Sequence, residues 1–198
     1  MVSLPLLLLG CAWAGCGDTG GGSITLPRVE APQELPKLPQ GWRPHRDDSV
    51  GFAIGLPPGW KLRARGGKVL IRSPDHLVAV TLAVDRNGNA LELPAARFAT
   101  RSLSALPGFR ATLRPSAPRP LRGTPLKAVQ VTAAGTTKKG KITERATIVV
   151  LRRDAIVNYT VAVLENAESP VAAADRAYAL KMVRTLRDQP VQTGAAPG

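Results

Sequence analysis

Thiol and imidazole groups are scarce in this chain, whose 198 residues hold two cysteines and two histidines. Both cysteines, Cys11 and Cys16, fall near the N-terminus. The body of the chain therefore has no disulfide to staple it and too few soft ligands for a zinc site. Aromatic residues make up 4% of the chain against 44% hydrophobic residues in all, so a core must be built from Val, Leu, Ile and Ala. No apolar run reaches the ~20 residues that a membrane-spanning helix needs. Catalytic signatures are missing too. There is no Gly-x-Ser-x-Gly elbow and no glycine-rich phosphate loop ahead of a helix. Acidic residues are outnumbered, which gives a net charge of +13 and a pI near 10.9.

What is present begins with the N-terminus. Leu4 and Leu6 to Leu9 form an apolar run, short enough for the h-region of a secretory signal. Small residues follow, then a cysteine, then the polar, glycine-rich stretch Gly17 to Ser23. This is the layout of a bacterial lipoprotein signal, although Met1-Val2-Ser3 lacks the usual basic residue. Two processing sites compete. Leu8-Leu9-Gly10-Cys11 has the preferred leucine, and Trp13-Ala14-Gly15-Cys16 is followed directly by the spacer. Cys16 is the expected lipidation site and Cys11 the alternative. Each buried methylene of an acyl chain adds ~0.8 kcal/mol of membrane affinity, so two or three chains hold firmly. The expected location is the extracytoplasmic side of a cell membrane.

A basic balance suits nucleic acid, an anionic membrane or an acidic polymer. An exported chain without a base-reading motif leaves no role for nucleic acid. The cations are spread in sequence (Arg43, Arg46, Lys61, Arg63, Arg65, Lys68, Arg72, then Arg110, Arg114, Arg119 and Arg122), which predicts a solvated surface.

Punctuation divides the chain into a signal at 1–15, a flexible Pro/Gly-rich linker at 16–47, a domain at 48–188 and a disordered tail at 189–198. Within the domain, alternation predicts strands at Phe52 to Leu56, Val69 to Arg72 and Leu77 to Val84, with Trp60 to Arg65 extended. Pro94 opens a helix to Leu106. Further strands are expected at Phe109 to Arg114, Leu126 to Ala134, Ile142 to Arg152 and Ile156 to Leu164. Ser169-Pro170 opens a second helix, whose apolar stripe reads Val171, Ala174, Tyr178, Met182, Val183 and Leu186. Hairpin-linked strands with helices imply an α+β fold, an antiparallel sheet flanked by helices.

Candidate chemistry is thin. Ser73, Asp75 and His76 could furnish a hydrolase pair, but neighbours in sequence rarely face one another as a triad requires. His45 sits between Pro44 and Arg46. Asp85 to Asn89 has a calcium-loop flavour but no later Glu. Lys138, Lys139 and Lys141 at a hairpin tip are the densest basic cluster, a weak candidate for contact with anionic headgroups. Trp60 is expected to pack beneath the sheet edge. No catalytic residue, metal or cofactor is expected.

Three segments carry a resemblance: Gly51-Phe52-Ala53-Ile54-Gly55-Leu56-Pro57-Pro58-Gly59-Trp60, the hairpin Ile148 to Asp154 running into Tyr159-Thr160-Val161, and the helix end Met182-Val183-Arg184-Thr185-Leu186. They are similar to the opening strand and turn, the penultimate hairpin and the last helix of the PsbP-like family, over about residues 48–188. That family includes a photosystem II extrinsic subunit, a nuclear Ran-binding protein and actinobacterial lipoproteins of the LpqN type. The resemblance implies an α/β/α sandwich and a mostly non-enzymatic, protein-binding role. With the signal, it implies a lipid-anchored binding or scaffolding module with an envelope protein partner. Two alternatives stand beside it: a small-molecule or lipid carrier with a cavity between sheet and helix, and an envelope hydrolase using Ser73 and His76.

Overall fold

Alternating apolar residues between proline and glycine breaks give the described residues eleven strands and two helices. A computed structural model describes residues 32–65, 68–86, 94–137, 143–153 and 157–191. The strands are β1 (Arg43–Asp47), β2 (Phe52–Leu56), β3 (Lys61–Arg65), β4 (Lys68–Arg72), β5 (Val78–Asp85), β6 (Phe109–Ala111), β7 (Arg119–Pro120), β8 (Lys127–Thr137), β9 (Thr143–Arg152), β10 (Asn158–Asn166) and β11 (Arg187–Asp188). The helices are α1 (Ala95–Ser104) and α2 (Pro170–Arg184). The large sheet has eight strands in the order β3-β4-β5-β10-β9-β8-β6, with β7 added beside β8, and a second, three-stranded sheet runs β1-β2-β11. All pairings are antiparallel. The mixed α+β expectation holds.

The run Ile148-Val149-Val150-Leu151 on β9 is buried throughout because its two faces feed different cores. Val149 and Leu151 join Val161, Val163 and the α2 residues Ala172, Ala179, Met182 and Val183. Ile148 and Val150 join Ala162 and the α1 residues Ala99 and Leu103. Strand β2 closes the first core with Phe52, Ile54 and Leu56. Small aliphatics fill most of this volume, as the lack of aromatics requires.

Three departures from the sequence reading have physical causes. The described part of the linker lies on the domain. Strand β1 pairs with β2, and Leu38 packs into the space that Gly55 leaves, its Cδ2 only 2.5 Å from where a Cβ there would be. The tail does not begin at Gln189. That residue is buried, its N–H donates to the Gly51 carbonyl at 3.0 Å, and its side-chain amide donates to the Gln33 carbonyl at 2.6 Å. The third departure concerns α2. Met182, Val183 and Leu186 of the expected stripe are buried, but Val171 and Tyr178 are 55% and 47% exposed, and Ala172 and Ala179 are buried in their place. Ala174 is exposed as well. Alanine at 172 and 179 lets the helix approach the sheet closely, and the larger Val171 and Tyr178 turn outward. Ser169 makes no side-chain cap bond, although Pro170 stands at the helix start as expected.

Candidate functional site

The most connected polar cluster lies where β2, β10 and β11 meet. Arg86, just past β5, donates through Nη2 to the Gly51 carbonyl at 2.6 Å and to Asp188 Oδ1 at 2.9 Å, and through Nε to the Val50 carbonyl at 3.2 Å. The Tyr159 hydroxyl donates to Asp188 Oδ1, and Arg153 bridges Asp188 Oδ2. Asp188 is 5% exposed and Tyr159 fully buried. Burial, and then the bond to Asp188 and its charge, push the Tyr159 phenol far above its ordinary pKa. A phenol so held keeps its proton and cannot act as a base. The cluster ties strand ends together. Its arginine also answers the calcium-loop suggestion, because Arg86 directs its charge to Asp188 and would repel a cation.

The turn between β4 and β5 holds Ser73, Asp75 and His76. The Ser73 hydroxyl donates to Asp75 Oδ1 at 2.6 Å and accepts the Val78 N–H at 3.0 Å. Asp75 also accepts the Leu77 N–H at 3.0 Å, and these two bonds, the hydroxyl first, hold its carboxyl low. Asp175 of α2 faces the pair, and burial with the Asp75 charge raises its pKa. His76 is exposed in the left-handed region at φ 63°. Ser73 is thus committed to a turn and not to an imidazole, which removes the geometric basis of the hydrolase alternative.

His45 lies within β1 opposite Ile54, its ring 5.9 Å from that of Phe52. Burial lowers its pKa, opposed by Asp47 and assisted by Arg43. The folded state therefore prefers the neutral ring. Its contribution is fully present above the ordinary value of 6.5 and is lost as pH falls through and below it. Melting temperature should decline on acidification from pH 7.5 to 5.5, and His45→Gln should flatten part of that slope in a thermal scan series. An unchanged slope would remove His45 as its source.

Trp60 is buried in the first core, 3% exposed, and its carbonyl accepts from Arg43 Nη2 at 3.2 Å. Cys11, Cys16, Lys138, Lys139 and Lys141 lie outside the described residues.

Two surfaces remain open. On α2, the exposed positions from Pro170 to Tyr178 are Pro170, Val171, Ala173, Ala174, Ala177 and Tyr178, none of them charged. The charged residues in that stretch have partners elsewhere: Arg176 reaches Glu165 Oε1 at 3.3 Å and Asp175 faces Asp75. Burial raises the Glu165 pKa, against the pull of Arg176 and Arg145. Trp42 extends the helix face, with its ring 6.3 Å from Tyr178 and Lys181 Nζ 5.9 Å from its centroid.

The other open surface is the α1 side of the large sheet. Helix α1 packs over β6, β8 and β9 and shares a core with Ala162 of β10, leaving β3, β4 and β5 beyond its edge. A hollow of about 430 Å³ lies between the end of α1 (Leu106, Pro107) and the small residues Thr81, Ala83, Thr160 and Ala162, with Lys68 on its lining. A smaller hollow of about 120 Å³ sits on β3 and β4 among Lys61, Arg63, Leu70 and Arg72. Hairpin pairing gathers on one face cations that look scattered in sequence. The signal was there in the even spacing of Lys61 with Arg63, two apart, and of Lys68 with Arg72, four apart.

Comparison with solved structures places this architecture. The Ran-binding protein Mog1p of Saccharomyces cerevisiae aligns with a TM-score of 0.50 at 12% identity, over 78% of this chain and 98% of that one. A second Mog1 structure gives 0.51 at 12%, over 75% and 96%. The chain shares its fold with Mog1. A protein of Bacteroides thetaiotaomicron aligns at 0.50 and 10% identity over 79% of this chain, which spans about half of that one (52%). A looser likeness, TM-score 0.41 at 13% identity over 82% of this chain and 88% of the other, is to LpqN of Mycobacterium tuberculosis, described as involved in cell envelope biogenesis. No protein-family model and no curated protein matches the chain. Among the described residues no helix is long and apolar enough to cross a membrane, and no group of side chains is placed to hold a metal ion.

Proposed function

We propose that this chain is a non-catalytic protein-binding module held on the extracytoplasmic side of a cell membrane by a lipid on Cys16, with Cys11 as the alternative site. Its two helices are taken as the outer layers of a PsbP-like α/β/α sandwich, and its partner is an envelope protein. One observation carries the reading: the uncharged outer face of α2, extended by Trp42. A solvent-facing helix surface without charge over two turns is costly to leave open and marks an interaction site. A binding protein on the same fold supports it, since Mog1p is named for binding Ran. The chain before Pro32 supplies the tether, and Lys138, Lys139 and Lys141 would meet the headgroups.

Photocrosslinking in intact cells, with a photoreactive residue at position 178, tests this directly. A discrete adduct is expected, lost with Val171→Glu and diminished with Cys16→Ala. Val171→Glu should alter folding stability by no more than about 0.5 kcal/mol. Absence of any adduct, or an adduct indifferent to Val171→Glu, would count against a protein-docking face on α2.

A second reading has its own observation. The hollow between α1 and the sheet favours a carrier of a small molecule or lipid.

A further inference from the structure

We infer that the open sheet face beside α1 binds a single-chain amphiphile with an anionic head, its chain in the hollow beneath α1 and its carboxylate or phosphate on the cations of β3 and β4. The inference rests on the carrier reading of that hollow and adds the chemistry of the cargo. The register supplies the geometry. Three rows cross the face: Lys61–Arg72–Ala79–Leu164, Arg63–Leu70–Thr81–Ala162, and Lys68–Ala83–Thr160. Each row starts with a cation at or next to the sheet edge and reaches small or apolar residues by β5. The opposite face of the same strands is core, with Val69, Ile71, Val80 and Leu82 buried, so the polarity gradient belongs to this face alone.

Two features require explanation by something outside the fold. Lys61 stands opposite Arg72. Like charges directly opposed across strands destabilise a sheet. Lys61, Arg63, Lys68 and Arg72 are exposed, and none forms a salt bridge among the described residues. A bank of opposed cations with no counterion among the described residues suits an external anion. The hollow has the complementary character. Thr81, Ala83, Thr160 and Ala162 leave volume where Leu or Phe would fill it, and Leu106, Pro107 and Ile148 make its walls apolar. Its volume of about 430 Å³ falls within the ~300–1,000 Å³ usual for small-ligand sites. Lys68 belongs both to this hollow and to the cationic strand, so chain and head would meet there.

The test is calorimetric titration of the full-length chain with four probes below their micelle concentrations: dodecyl phosphate, dodecanoate, dodecyl maltoside and inorganic phosphate. Saturable binding of one or both anionic chains is expected, at least about tenfold tighter than dodecyl maltoside, the scale of one lost charge-assisted contact. Preference between dodecyl phosphate and dodecanoate tells a phosphate head from a carboxylate. Lys68→Gln combined with Arg72→Gln should erase the tenfold difference, and Ala83→Phe, at a half-exposed position, should abolish binding of every chain. Dodecyl maltoside binding as well as the anionic probes, with Ala83→Phe still blocking both, overturns the anionic selection and leaves a carrier. Binding of inorganic phosphate alone, or no probe responding to Ala83→Phe, overturns the hollow as a chain site and the carrier reading with it.

Discussion

Asp188→Ala is expected to cost about 3 kcal/mol of folding stability, the low end of the ~3–5 kcal/mol typical for breaking a buried ion pair. The low end applies because Arg86 and Arg153 keep roughly a quarter of their side-chain surface in water, 25% and 28%, while Asp188 keeps 5%. Removing the carboxylate leaves two guanidinium groups facing each other and takes one of two acceptors from a buried phenol, which keeps the Gly51 carbonyl at 3.0 Å. It also removes one of the ties on β11, a two-residue strand paired to β2. Tyr159→Phe removes one neutral donor and should cost less, about 1–2 kcal/mol. Asp188→Asn should fall between the two, since it keeps an acceptor and loses the charge. Urea denaturation followed by circular dichroism measures all three, read as midpoint shifts at unchanged slope. An Asp188→Ala protein within about 1 kcal/mol of its parent, inside the range of ordinary surface changes, would mean the cluster is incidental to the fold. Gly51 belongs to the same design. Its φ is +81°, and a Cβ there would come within 2.2 Å of Arg86 Nη2, so the guanidinium occupies space that only glycine leaves open.

The long strands and both helices were legible because proline and glycine punctuate them and their periodicity is strong. Pro57-Pro58-Gly59 ends β2, Ser73-Pro74-Asp75 ends β4, and Pro107-Gly108 follows α1. What stayed hidden depends on partners distant in sequence. Strand β1 reads Arg-Pro-His-Arg-Asp, which has no strand pattern of its own. It exists because β2 offers it an edge. Strands β7 and β11 have two residues each, too few for any periodic signal. Of the candidate surfaces, the cations of β3 and β4 were visible one by one, but as spread charge. Only the hairpin register turns them into a bank on one face. The Arg86–Asp188 pair joins residues 102 apart, and nothing in either neighbourhood announces the other.

The facing of α2 is the sharpest case, and it makes a prediction that separates two readings of one helix. A stripe drawn at helical spacing through Val171, Ala174 and Tyr178 puts those positions in the core and leaves Ala172 and Ala179 outside it, although its later members Met182, Val183 and Leu186 are buried. In the structure Ala172 and Ala179 are fully buried and Val171 and Tyr178 exposed. Ala179→Leu must then insert three carbons where helix and sheet already touch, and should cost about 1–3 kcal/mol through overpacking. Tyr178→Glu should change stability by no more than about 0.5 kcal/mol. The stripe drawn from sequence spacing predicts the reverse order, with Tyr178→Glu placing a charge in the core and Ala179→Leu harmless on the surface. Urea midpoints of the two variants decide between them. The outcome also bears on function, because a helix seated on alanine can present valine and tyrosine to a partner without giving up the packing that holds it in place.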